Sequence, residues 1–166
     1  EFNTFLGRQA GNTNTGGNNN VAIGYRSIFN NGSTMGTGNS NNTVIGHQAG
    51  YKLGNNDDGN VMLGYQAGYN ETGSNTLYID NSNTTTPLIY GDFDTDALTV
   101  NGSLTATSGF SVNNGSTSAG TMAVYEDSDD GSNKVTIQSQ AMAADYTLTL
   151  PVDAGTASQV LTTDGS

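Results

Sequence analysis

A short phrase recurs four times in the first half of the chain: an Asn, a β-branched residue, an apolar residue, an aliphatic residue and a Gly. The copies occupy residues 3–7, 20–24, 42–46 and 60–64, and their glycines lie 17, 22 and 18 residues apart. Apolar side chains with a period of two predict a short β-strand in each copy. Recurrence at such intervals is typical of stacked units, so we predict an all-β fold that begins with β-roll or β-solenoid repeats.

The two faces of each predicted strand differ in how much they vary. On one face, the β-branched and aliphatic residues recur in every copy: Thr4 and Leu6, Val21 and Ile23, Thr43 and Ile45, Val61 and Leu63. The residue between them points to the other face and varies in size: Phe5, Ala22, Val44 and Met62. We expect the recurring pair to form the core of the roll. The variable residue would then form a second apolar surface, which another copy of the chain covers.

The Gly that ends each phrase predicts a corner, at which φ is positive or a neighbouring backbone comes close. These corners are Gly7, Gly24, Gly46 and Gly64. Three residues on, the side chain is small in every copy: Ala10, Ser27, Ala49 and Ala67. Small side chains at this position indicate a second short strand packed into a tight roll.

The pattern changes near residue 74. Residues 75–80 predict a decayed fifth unit that caps the stack, because terminal repeats are commonly atypical. Further strands are predicted at residues 87–90, 97–100, 103–107, 121–125, 134–137 and 146–150, with a hairpin turn at Asn101 and Gly102. We therefore divide the chain into Asn- and Gly-rich β-roll repeats at 1–83 and an acidic, β-rich shaft or linker at 84–166, which we expect to continue beyond this stretch.

Charge and composition exclude several classes of partner. The net charge is −11, with five acids and three bases in residues 1–83 but ten acids and one base in residues 84–166. Such a surface repels phosphate backbones, so we predict no nucleic-acid partner. No run of 18 apolar residues occurs, so we predict no membrane insertion. The chain has no Cys and does not begin with Met, and we expect it to be a piece of a longer or processed polypeptide.

We predict no catalytic residue, no metal site and no cofactor. His47 is the only histidine, and it occupies a position held by Arg or Tyr in the other copies, so no nucleophile–base pair can be assembled.

Three acids alternate along a predicted strand: Asp92, Asp94 and Asp96. They bind a cation on a trimer axis or keep an exposed edge soluble, and we favour the soluble edge. Residues 126–131 resemble the start of a calcium loop, but Ile137 stands where the closing Glu belongs, so we favour a hairpin turn, as we do for the acidic loop at residues 57–58.

Four tyrosines are candidates for ligand binding. Tyr25, Tyr51, Tyr65 and Tyr69 lie just after corner glycines or shortly beyond them. Aromatic faces beside Asn and Gln amides can stack on sugar rings. The same rings can instead pack one coil against the next, and we favour packing.

The repeated phrase resembles the head of the trimeric autotransporter adhesins, and residues 20–24 are the closest match to that family's unit. The resemblance implies a left-handed parallel β-roll and an association of three chains. Residues 64–69 and 78–81 look like phage tail-fibre and related virion proteins that reuse this roll. Residues 144–151 and 159–165 are similar to a linker module of marine phage fibres.

Together, these features predict a homotrimeric virion fibre, extracellular and located on the virion surface, that projects toward the host and adheres to a surface glycan or protein receptor. An interleaved β-strand shaft would follow the roll. The alternatives are a bacterial trimeric adhesin head, a glycan depolymerase of tailspike type and an ice-binding solenoid. The unequal intervals do not fit the regular Thr ladder that ice binding requires.

Overall fold

The computed structural model describes residues 2–12, 14–29, 38–112, 120–126 and 133–138. These residues form strands, turns and bends and no helix, which confirms the all-β prediction. The strands are β1 (Thr4–Leu6), β2 (Val21–Ile23), β3 (Thr43–Ile45), β4 (Val61–Leu63), β5 (Thr76–Ile79), β6 (Ile89–Asp92), β7 (Ala97–Val100), β8 (Thr121–Tyr125) and β9 (Lys134–Gln138).

Strands β1 to β7 form one sheet in chain order. The first five strands are parallel neighbours, and the same position of each repeated phrase stays in register from coil to coil, as in the pairing of Val44 with Ala22 and Met62. Four successive parallel pairings make a β-solenoid of stacked coils, so the predicted repeat architecture is confirmed. The sheet then reverses, because β5, β6 and β7 pair antiparallel.

The core of the roll lies between this sheet and the turns that follow the corner glycines, and we call these turns the second wall. Its buried apolar residues are Ala22, Ile28, Val44, Ala49, Leu53, Met62 and Ala67. Val44 is 0% exposed, whereas the recurring residues Leu6 and Leu63 are 65% and 46% exposed. Our assignment of the two strand faces is therefore wrong: the variable residues Ala22, Val44 and Met62 form the core, and the recurring pair points outward. Phe5, in the first coil, lies on the inner face but is 38% exposed.

The second wall explains why the inner residue varies. The small residues Ser27, Ala49 and Ala67 are buried there, but they lie in turns, so the predicted second short strand is wrong. The residues that follow the small position in each coil are Gly11, Ile28, Gly50 and Gly68. A Cβ atom on Gly68 would lie 2.5 Å from the Met62 sulfur, so a large inner side chain requires Gly opposite. In the second coil the large and small positions are exchanged. Ala22 is the inner residue, Ile28 takes the place that Gly has in the other coils, and both are buried in the same core. The inner residue is thus matched to the opposite wall, and close packing makes such a match necessary.

A ladder of polar side chains lies on the same inner face, at the start of each strand. It consists of Asn3, Asn20, Asn42, Asn60 and Thr76. The Oδ1 atom of Asn42 accepts from the Asn60 backbone N–H at 2.8 Å, and its Nδ2 donates to the Asp57 carbonyl at 3.0 Å. Asn20, Asn42 and Asn60 are fully buried, and each one hydrogen-bonds backbone groups that would otherwise be unsatisfied. We did not predict this role, although Asn recurs two positions before each inner residue of the first four strands.

The corner glycines behave as predicted. Gly7, Gly24, Gly46 and Gly64 have φ values of 131°, 131°, 143° and 123°. A Cβ atom on Gly7 would lie 2.6 Å from the carbonyl oxygen of Gly24 in the next coil. Positive φ and close backbone approach therefore coincide, so a side chain at these corners would disrupt the stacking of the coils.

The antiparallel end of the sheet departs from the prediction. The hairpin of β6 and β7 turns at residues 93–96, where Asp92 Oδ1 accepts from the backbone N–H groups of Asp94 and Thr95. Residues 103–107 form no strand. The predicted hairpin at Asn101 and Gly102 is therefore wrong, because an Asp side chain that caps its own turn directs the reversal eight residues earlier.

The chain divides into two compact units, Glu1–Thr105 and Ala106–Ser166. The first contains the whole seven-stranded sheet. In the second, β8 and β9 form an antiparallel hairpin that confirms both predicted strands. The predicted strand at 146–150 and the linker-like residues 144–165 lie outside the described residues, and the predicted boundary between residues 83 and 84 stays a prediction.

Candidate functional site

The outer face of the large sheet carries two uninterrupted columns of uncharged residues. In register, the first column is Leu6, Ile23, Ile45, Leu63, Ile79, Ile89 and Val100. The second is Thr4, Val21, Thr43, Val61, Leu77, Gly91 and Leu98. We call these two columns the outer strip. It contains every aliphatic residue that precedes a corner glycine.

The outer strip is long and partly exposed. It crosses seven strands, so it extends about 29 Å along the stack at the usual strand spacing. Its ends and its middle are open to solvent, since the side chains of Leu6, Leu63 and Leu98 are all exposed. Contiguous apolar surface of this kind is a common feature of protein interaction sites, which makes the outer strip a candidate.

The candidate tyrosines occupy two aromatic stacks beside the second wall. In the first, the His47 ring lies 5.2 Å from Tyr25 and 5.3 Å from Tyr65, and the Arg8 guanidinium lies 5.9 Å from the Tyr25 ring. His47 therefore contributes an aromatic ring to the stack. The position that holds Arg, Tyr, His and Tyr in successive coils is a packing position.

The second stack contains Phe29, Tyr51 and Tyr69. The rings of Tyr51 and Tyr69 are parallel within 2° at 4.6 Å, and Arg26 lies 4.7 Å from the Phe29 ring. Tyr51 is buried, so its ring faces are used by its neighbours. The geometry gives all four candidate tyrosines a packing role, while their role in glycan binding stays a prediction.

The acids of the β6–β7 hairpin do not alternate along a strand as predicted. Asp92 ends β6, whereas Asp94 and Asp96 lie in the turn. A hydrogen bond from the Thr95 side chain, together with the Asp94 backbone N–H, lowers the pKa of Asp92. Asp94 accepts a hydrogen bond from Asn75 Nδ2 at 2.9 Å, so these carboxylates organise the turn.

The other acidic loops are also turn structures in the residues described. Asp57 accepts from the Gly54 backbone N–H, and Asp58 accepts from the Ser40 backbone N–H at 2.6 Å. Glu126 Oε1 accepts from the backbone and side-chain nitrogens of Asn133, both at 2.9 Å, at the base of the β8–β9 hairpin. The interior of that loop, residues 127–132, lies outside the described part. Among the described residues, no group of three or more His, Asp or Glu side chains is placed to hold a metal ion.

A cleft opens at the end of the roll where the sheet reverses. Its volume is about 350 Å³, and it is lined by Tyr78, Tyr90, Thr99 and Asn101 together with the segment 85–87. A smaller cavity of about 160 Å³ shares Tyr78 and Thr85 with it and reaches Glu71. None of these residues was predicted as a site from the sequence, because they come together only when the hairpin folds onto the last coil.

Comparison with protein-family models, with curated proteins and with solved structures finds no match for this chain. Functional assignment therefore rests on the residues and their geometry. Within the described ranges, no helix has the length and apolar character needed to cross a membrane.

Proposed function

We propose that this chain is a segment of a homotrimeric fibre that projects from a virion and adheres to the host surface. The outer strip is the observation that carries the proposal. It is uncharged along its whole length, and it includes leucines that are about half exposed or more. Burying such surface against a partner is favourable by roughly 25 cal/mol per Å².

A second copy of the same chain is the partner that fits the outer strip. Each coil presents a β-branched residue and an aliphatic residue at the same positions, so identical chains arranged around an axis along the stack would meet coil by coil. Closed symmetry of this kind is the usual form of homo-oligomers. The resemblance of residues 20–24 to autotransporter heads supports three copies rather than two.

The β8–β9 hairpin gives independent support for association. Met122, Val124, Val135 and Ile137 share one face of the hairpin, and all four are exposed. A two-stranded hairpin is marginally stable by itself and needs a cover for its apolar face. Strands from partner chains would supply that cover in an interleaved shaft.

The resemblance of residues 64–69, 78–81, 144–151 and 159–165 to phage fibre proteins supports a location on a virion. The alternative is the head of a bacterial trimeric adhesin, which the wording of residues 20–24 supports. Antibodies raised against this chain separate the two: gold labelling of fibres on purified virions supports the proposal, and labelling of bacterial surfaces alone supports the alternative.

Sedimentation equilibrium of the purified chain tests the trimer. We expect a mass three times the monomer mass of 17.1 kDa. The variant Ile45→Lys places a charge in the middle of the outer strip and should sediment as a monomer, because burying an unpaired ammonium group costs several kcal/mol. Asn12→Lys, at an exposed turn away from the strip, is the matched control and should remain a trimer. A monomeric parent chain would contradict the proposal.

A further inference from the structure

The cleft at the end of the roll lies on the inner face of the sheet, at the strands that the second wall no longer covers. The inner residue of the fourth coil, Met62, pairs in register with Tyr78, and the column continues through Tyr90 to Thr99. The small residues of the second wall cover this face up to Ala67. Beyond β5 the repeat stops, so the side chains that follow Tyr78 line an open cleft.

Two tyrosine rings form the apolar part of the cleft. Tyr78 and Tyr90 meet edge to face, with ring centroids 5.3 Å apart and planes 82° from each other. The hydroxyl of Tyr78 donates to Glu71 Oε2 at 2.6 Å. The other oxygen of Glu71 accepts from the backbone N–H groups of Thr72 and Gly73, which fixes the carboxylate. The rings are therefore held in place before any ligand arrives.

Polar groups surround these rings with unused hydrogen-bonding capacity. Within the described part of the chain, no hydrogen bond engages the hydroxyls of Thr85, Tyr90 or Thr99. Asn101 donates from Nδ2 to the Pro87 carbonyl at 2.7 Å, which orients the amide and leaves Oδ1 as an acceptor. Fixed aromatic surface with a few convergent polar groups is the usual composition of a small-ligand site.

We propose that this cleft binds a neutral saccharide. The C–H faces of a sugar ring pack on aromatic rings, and its hydroxyls pair with the threonine hydroxyls and the asparagine amide. A volume of about 350 Å³ accommodates one or two sugar rings. Glu71, and Asp92 near Tyr90, make the surroundings negative, which disfavours sialic acids, uronic acids and phosphorylated sugars.

The cleft and the outer strip lie on opposite faces of the same sheet. Tyr78 and Tyr90 belong to the inner column, whereas their strand neighbours Ile79 and Ile89 belong to the outer strip. Association of copies through the outer strip would therefore leave the cleft accessible. This inference deepens the proposed adhesive function by naming the chemical class of the receptor.

The test measures binding of lactose, maltose, chitobiose and sialyllactose to the full chain by saturation-transfer NMR and titration. We expect at least one neutral disaccharide to bind and sialyllactose to bind more weakly than lactose. Tyr90→Ala should weaken binding about tenfold or more through loss of ring contact. Thr99→Val, which keeps the shape and removes one hydroxyl, should weaken it about fivefold.

Two controls separate the cleft from other sites. Phe2→Ala removes an exposed ring that precedes β1, and Thr105→Val removes an exposed hydroxyl outside the cleft; both should leave binding unchanged. Loss of binding in Phe2→Ala with retention in Tyr90→Ala would overturn the assignment, as would the absence of binding by every neutral sugar. Sedimentation of the same samples keeps the two proposals distinguishable, because a trimer without sugar binding contradicts only the cleft and a sugar-binding monomer contradicts only the trimer.

Discussion

The inner and outer columns of the roll are adjacent positions of the same strands, yet they follow opposite rules. The inner column holds Ala22, Val44 and Met62, which differ in volume and are almost completely buried. The outer strip repeats nearly the same aliphatic side chains in every coil and stays partly exposed. Each inner residue has its own opposite wall to match, whereas every outer residue faces the same environment. Uniformity between coils therefore indicates a shared external surface, and variation indicates a local fit in the interior.

The largest expected effect comes from the polar part of the inner face. Asn42→Ala removes the acceptor for the Asn60 backbone N–H and the donor to the Asp57 carbonyl, and both groups remain buried. We expect the free energy of unfolding to fall by about 3 kcal/mol, since each unsatisfied buried group costs about 1–3 kcal/mol. Chemical denaturation measures this change. Asn12→Ala, at an exposed turn, should cost less than about 0.5 kcal/mol; equal costs at the two positions would remove the distinction between inner and outer polar residues.

A size exchange tests whether the inner column matches its wall. Ile28→Gly leaves a cavity opposite Ala22 and should cost about 2 kcal/mol even though it removes a β-branched residue with a φ of 47°. Ala22→Met should also destabilise the fold, through overpacking. Together, the two changes reproduce the Met-and-Gly arrangement of the fourth coil. We expect the pair to be at least about 1 kcal/mol more stable than the sum of the single changes predicts, and strict additivity in a double-mutant cycle would contradict the match.

The smallest expected effect concerns a buried acid at the loop side of the roll. Burial raises the pKa of Asp57 above its ordinary value of 3.8, and the charges of Glu71 and Asp58 raise it further, while the hydrogen bond from Gly54 opposes the shift. Because the folded-state pKa is raised, the ionised form costs stability at neutral pH, and this cost disappears as the pH falls through the raised pKa.

Asp57→Asn keeps an oxygen that accepts from Gly54 and removes the charge. The variant should melt higher than the parent at pH 7, by at most about 4 °C. Its advantage should shrink as the pH is lowered toward 3.8, where the parent carboxyl is also neutral. Thermal unfolding of both proteins across this range measures the difference, and an advantage that grows on acidification would show that burial does not control this carboxyl.

The sequence predicted the positions of β1 to β4 and the corner glycines, because each depends on local backbone geometry or on a repeated register. It also showed a small residue three positions after each corner, but these residues lie in turns and not in the predicted second strand. It did not predict which strand face is buried. Alternation separates two faces but does not say which one meets the second wall. One signal in the sequence identifies the inner face. The fourth coil places Gly68 opposite the large Met62, whereas the second coil places Ile28 opposite the small Ala22.

The antiparallel end of the sheet was less predictable for a different reason. Asn101 and Gly102 suit a turn by residue type, but the carboxylate of Asp92 caps a turn at residues 93–96, where Asp96 takes a φ of 55°. The cleft depends on that choice, because it requires Tyr90 to lie opposite Tyr78. This contact between Tyr78 and Tyr90 forms only when the hairpin folds back, so no local sequence pattern predicts it.

Single cysteines at neighbouring positions of β3 test the assignment of the two faces most directly, since the chain has no cysteine of its own. Val44→Cys lies on the inner face and Ile45→Cys on the outer strip. We expect the cysteine at position 44 to resist thiol reagents until the protein unfolds. Cys at position 45 should form disulfides between copies under mild oxidation and react freely once the copies are dissociated. Rapid labelling at position 44 in the folded protein, with position 45 protected in an isolated monomer, would contradict the assignment.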